Sequence, residues 1–153
     1  MHYLVMVFAT MPYLLDTNHC SYLMNGLYKK ESRCKPEEIK TIEAFNKITT
    51  DAVYMSEASI GEISYGAEIS AHSTNIYQRL AKLKNIILAA PVDVQCWELF
   101  EKTKGELKLN GKKIQDIDLL IACVAHRYGC IFVTNDGAFK NLPAGFQVEN
   151  WSS

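Results

Sequence analysis

Tyr13-Leu14-Leu15-Asp16-Thr17-Asn18 is a short apolar run that stops on an acid followed by two small polar residues. A second run of the same design, Cys130-Ile131-Phe132-Val133-Thr134-Asn135-Asp136, lies toward the other end of the chain. Apolar runs this short, closed by polar turn residues, read as strands buried on both faces, the kind found in parallel sheets. Parallel strands bring their carboxyl ends to one side of the sheet, where open α/β folds bind ligands. Asp16 and Asp136 are therefore expected on one rim.

Outward from these runs the pattern alternates. Further strands are expected at 52–55 and 86–88, with a short edge strand at 146–148. Helices are expected at 20–25, 36–48, 58–72, 75–84, 93–107 and 117–128. Such alternation predicts a parallel sheet flanked by helices. Gly26 is read as stopping the first helix, residues 27–35 as a charged surface loop, and Gly129 as a left-handed cap after the last helix. Pro36 suits a first helical turn, and Glu37 and Glu38 are favourable beside its positive end.

The 153 residues have the length of one domain, able to bury roughly 70% of their unfolded surface. A hydrophobic fraction of 48% with 22% charged residues excludes a disordered chain. The net charge of −1 offers no global attraction to a polyanion, so such a substrate must be held by local cations. Five scattered cysteines without a Cys-x-x-Cys pair indicate neither a disulfide framework nor a zinc site, and point to a reducing cytoplasm. The run 3–15 lacks a preceding basic residue, is interrupted by Pro12 and is short of a membrane span. Met11 offers an alternative start, so residues 1–11 read as an extension or leader and 12–151 as a single domain.

Two more acids lie in apolar helical sequence between the runs. Glu62 has Ala58, Tyr65 and Ile69 at i−4, i+3 and i+7, so its carboxylate shares an apolar face. Burying an unpaired carboxylate costs several kcal/mol or forces it to take a proton, and a cation or a lysine partner relieves either outcome. Asp118 opens a helix that is apolar all round, with Asp116 as its competitor: one could cap the helix while the other binds metal. Residues two apart point roughly 200° apart on a helix, so both do not face one ion, and pattern alone leaves the choice open. Asp16 and Asp136 carry a similar ambiguity, since each also suits a helix N-cap. Acids drawn from four segments form a hard-oxygen set suited to magnesium or manganese and to phosphodiester hydrolysis.

These residues resemble a known family. Tyr13 to Asn18, Ile63-Ser64-Tyr65-Gly66-Ala67-Glu68 after Glu62, Asp118-Leu119-Leu120-Ile121-Ala122, Val133 to Asp136 and the tail Val148-Glu149-Asn150-Trp151 look like a PIN-domain protein of the VapC toxin type. The resemblance spans about residues 12–151. It implies a three-layer α/β/α sandwich around a parallel sheet of four or five strands. It also implies a magnesium- or manganese-dependent endoribonuclease, the toxin of a type II toxin-antitoxin pair, acting as a homodimer with a small antitoxin. The family's catalytic acids carry over onto Asp16, Glu62, Asp118 and Asp136, which favours Asp118 over Asp116 as ligand. Asp116 becomes a supporting or capping candidate, and Thr17, Asn18 and Thr134 supporting groups. Lys112 and Lys113 are the first candidates for RNA contact, with Lys29, Lys30, Arg33 and Lys140 behind them. His19, beside Asn18, and His126 are less strongly indicated.

Overall fold

The computed structural model describes residues 11–48 and 52–153. The reading of residues 1–11 as a leader thus falls, Met11 apart, outside the described residues. The elements run β1 (Tyr13–Leu15), α1 (Thr17–Tyr28), α2 (Pro36–Asn46), β2 (Val53–Ser56), α3 (Glu57–Glu68), α4 (Ser73–Ile86), β3 (Leu88–Ala90), α5 (Val94–Leu109), α6 (Asp116–Arg127), β4 (Ile131–Val133) and β5 (Val148–Glu149). The five strands form one parallel sheet in the order β3-β2-β1-β4-β5.

Why three-residue strands hold is visible in their burial. Leu14 and Leu15 are fully buried but on opposite faces, because successive strand side chains alternate. Leu14 and Phe132 pack against the layer of α5 and α6. Leu15, Val53, Met55 and Val133 pack against the layer built from α1 to α4. This is the expected sandwich, with a core on each face of the sheet. Trp151 follows β5 and is 5.1 Å from the Tyr13 ring, which fastens the tail beneath the first strand.

Several local expectations are corrected. Gly26 does not end α1, which continues to Tyr28. A Cβ there would stand 2.8 Å from Ile42 Cγ1, so this glycine lets α1 approach α2 closely. Lengthening α1 shortens the supposed loop, and Glu31–Arg33 within it form a turn of 3-10 helix. The third strand is not 86–88 but Leu88–Ala90, because Ile86 and the buried Ile87 close α4 and β2 pairs with the following residues. The helix expected at 58–72 ends at Glu68. Gly129 has the left-handed φ of 68° expected of it.

The contact between α1 and α2 includes an ion pair. Glu38 is almost fully buried and accepts from Lys29 Nζ at 2.6 and 3.1 Å. Removing one member strands a buried charge, whereas replacing both by apolar groups removes the desolvation cost as well. Lys29→Met is expected to lower unfolding free energy by about 2–3 kcal/mol, less than for a wholly buried pair because Lys29 keeps some solvent. Lys29→Met with Glu38→Leu should recover most of that loss in urea denaturation.

Candidate active site

In the strand order β3-β2-β1-β4-β5 the chain reverses direction of growth between β1 and β4. Connections leave those two strands toward opposite faces, opening a crevice at their carboxyl ends. Asp16 is the residue after β1, and its backbone N–H donates to Val133 O at 2.9 Å, the last residue of β4. The Thr134-Asn135-Asp136 segment starts at the same level. Two sequence-distant acids thus leave neighbouring strands side by side.

Asp16 is buried and is the N-cap of α1, its Oδ1 accepting from His19 N at 2.7 Å. The same oxygen lies 2.8 Å from His19 Nδ1. Asp136 is exposed and accepts from Ala138 N at 2.9 Å, capping the short 3-10 turn Gly137–Asn141. Buried Thr134 accepts through Oγ1 from Asp136 N at 3.2 Å, so it holds the backbone of that acid. Glu62, half-buried on α3, accepts from Thr17 Oγ1 at 2.5 Å, and this hydroxyl lies 3.0 Å from Ser59 Oγ. Asn18 is exposed, and its side chain makes no hydrogen bond among the described residues.

Asp118 sits in the first turn of α6. Removal from water raises its carboxyl above the ordinary range, and the negative charges of Glu62, Asp136 and Asp16 raise it further. The charges that raise it come from the three other acids picked out in the sequence. No cation is among the groups that act on it. Asp116 turns elsewhere: its Oδ1 pairs with Lys104 Nζ at 2.8 Å, and Gln115, not Asp116, is the N-cap of α6.

Among the described residues, no three acid, histidine or cysteine side chains already meet at metal-ligating spacing. Magnesium in any case keeps several waters and leans on substrate oxygens rather than filling an all-protein cage. The donor chemistry therefore fits a hard divalent ion.

Lys112 and Lys113 are exposed in the loop between α5 and α6. With Lys104 and Lys108 they line a groove that runs to Glu62 and Asp118. Lys104 and Lys108 were not singled out by sequence, although their i, i+4 spacing places them on one helix face pointing into that loop. Lys29 is committed to Glu38, and Lys140 lies in the turn after Asp136. His126 is stacked on Phe146 at 4.4 Å and serves a local contact.

Comparison with known proteins finds relatives of the chain. The chain is 29% identical over 143 residues to the tRNA(fMet)-specific endonuclease VapC of Salmonella typhimurium, covering 91% of this chain and 97% of that one. It is 28% identical over 142 residues to ribonuclease VapC2 of Rickettsia felis, covering 92% and 98%. The crystal structure of DNA-bound VapBC from Salmonella typhimurium aligns over 93% of this chain and 99% of that one, with a TM-score of 0.78 and 25% identity. The profile of the PIN domain matches residues 13–145, nearly the whole chain, which therefore belongs to the PIN domain family.

Proposed function

We propose that the chain is an endoribonuclease dependent on magnesium or manganese, the toxin of a toxin-antitoxin pair, working in the cytoplasm on RNA. The observation that carries this reading is geometric: Asp16 and the segment of Asp136 leave the adjacent strand ends of β1 and β4, Glu62 and Asp118 line one groove, and the carboxyl of Asp118 is raised by burial and by the charges of the other three. Four like charges with no cation partner among the described residues support the reading of a cation site. Relatives named as VapC endonucleases and neighbours solved as VapBC complexes support the nuclease and the antitoxin partner.

Asp16, Glu62, Asp118 and Asp136 are proposed to hold the ion. When bound, it supplies Lewis-acid stabilisation of the phosphate charge and lowers the pKa of an attacking water. The protein's own work is then orientation. Thr17 fixes one oxygen of Glu62 by its hydrogen bond, and Thr134 fixes the backbone of Asp136. The groove of Lys104, Lys108, Lys112 and Lys113 leads phosphates toward acids that on their own would repel them. Asp116 tethers Lys104 at the edge of that groove.

For the antitoxin, an inserted arginine would pair bidentately with the cluster and take the place of the ion. For the homodimer, exposed apolar side chains at Tyr65 on α3, Ile69 just after it, and Val94 and Trp97 on α5 are candidates for a self-associating surface. Among the described residues, no helix is long and apolar enough to cross a membrane.

Asp16→Asn removes the charge but keeps a residue that caps helices well. It is expected to reduce cleavage of single-stranded RNA in Mg2+ by at least about 100-fold while leaving the fold intact, consistent with losing an electrostatic group at a reacting centre. Equal cleavage by the variant would refute the mechanism. Asp118→Asn should do two opposite things. Because the cluster is repulsive, removing one charge should raise the metal-free melting temperature by about 2–4 °C. The same variant should lose most of the stabilisation by Mn2+, which for a well-formed site is about 2.7 kcal/mol at 100-fold excess over Kd.

The sign with pH follows from the same cause. Asp118 must be ionised to hold a cation, and its carboxyl titrates above the ordinary range. Mn2+ affinity is therefore expected to fall on acidification sooner than for an unperturbed carboxylate, and titration calorimetry across pH would show it. Finally, replacing both Lys112 and Lys113 by alanine should lower the slope of log affinity against log salt by about 1.4, the release expected for two phosphate contacts on a single strand. An unchanged slope would place these lysines outside the RNA path.

A further inference from the structure

We propose that His19 is a positioning residue for Asp16: its ring holds one carboxylate oxygen in place so that the other is presented to the cation. The inference rests on the cation reading given above. His19 is fully buried on the first turn of α1. Its Nδ1 lies 2.8 Å from Asp16 Oδ1, which already accepts the backbone N–H of His19 at 2.7 Å. An ionised carboxylate only accepts, so Nδ1 carries the hydrogen.

Two donors from one residue converge on Oδ1, whereas Oδ2 makes no hydrogen bond among the described residues. A capping bond alone leaves the carboxylate free to turn about its own axis. A second donor from a different direction removes that freedom, much as outer partners orient metal-ligating side chains. The ring itself is held edge-on by Tyr22, with centroids 5.4 Å apart at 74°. Tyr22 in turn accepts through its hydroxyl from Asn135 Nδ2 at 3.3 Å. A contact chain therefore runs from Asp16 through His19 and Tyr22 to the segment that carries Asp136.

Packing does not explain the histidine. Its Nε2 is buried and has no hydrogen-bond partner among the described residues. An orphaned buried nitrogen weakens a fold, and an apolar side chain of similar size would avoid that cost. The polar ring earns its place through Nδ1.

The test compares His19→Asn, His19→Gln and His19→Leu in the full chain. An asparagine amide reaches the position of Nδ1, and a glutamine amide that of Nε2. Three quantities are measured: affinity for Mn2+ alone, RNA cleavage, and the metal-free melting temperature. Leu and Gln are expected to weaken Mn2+ binding by about 10-fold or more, and Asn to keep it close to wild type. The melting temperature of the Leu variant should be unchanged or higher, separating positioning from a structural role. Mn2+ binding by His19→Leu equal to wild type would overturn the inference while leaving the cation reading intact. Rescue by Gln rather than Asn would overturn it too, by making Nε2 the working nitrogen. A wild-type chain that binds no Mn2+ would instead overturn the cation reading and take this inference with it. Should the Leu variant fail to fold, the Asn and Gln pair still decides.

Discussion

The hydrogen bond from Asp16 N to Val133 O is the contact on which the site depends, because it fixes the end of β1 against the end of β4. The carboxyl ends of neighbouring parallel strands necessarily share a rim, and the reversal of strand order there keeps helices from covering it. Two acids separated by 120 positions in sequence, Asp16 and Asp136, are thereby forced onto one edge. Glu62 and Asp118 reach the same edge from α3 and α6, one on each layer of the sandwich. Neither helix could deliver its acid without the sheet between them to set the height.

Convergence has an energetic consequence. Asp118 is raised by burial and by three like charges, with no cation acting on it. Like charges brought this near one another work against the fold. The basic groove complements these charges at a distance. Lysines along α5 and the loop after it line the groove that reaches Glu62 and Asp118, and among the described residues none of them forms an ion pair with either acid.

Strands β1 and β4 were legible in the sequence because apolar runs with polar ends have few other readings, and their acids followed from topology. What escaped the sequence depended on contacts between elements. Gly26 has the appearance of a helix stop, and only the approach of Ile42 shows it to be a packing residue. Ile86 and Ile87 look like strand, but the end of α4 uses the same residues, leaving Ile86 exposed and burying Ile87. Lys104 and Lys108 lie on what would ordinarily be a solvated helix face, and nothing local says that a groove runs beneath it. Asp116 and Asp118 were indistinguishable by pattern until the first was seen paired with Lys104.

Capping and ligation, posed as alternatives for Asp16 and Asp136 from sequence, do not exclude one another, and the structure shows the capping. Asp16 caps α1 through Oδ1 and keeps Oδ2 free of hydrogen bonds among the described residues. Asp136 caps its 3-10 turn through Oδ1 from an exposed position. A strand that turns directly into a helix puts an acid where backbone N–H groups can bind one of its oxygens. The helix that follows adds a favourable dipole, and Asp118, in the first turn of α6, draws on the same source. Three of the four acids therefore stand at amino-terminal ends of helical segments, with only Glu62 seated inside a helix. Glu62, with no helix end to cap, is held instead by a side-chain donor, Thr17. The backbone thus bears part of the cost of holding like charges near one another, and capping fixes one oxygen of Asp16 and of Asp136 while the other carries no hydrogen bond among the described residues.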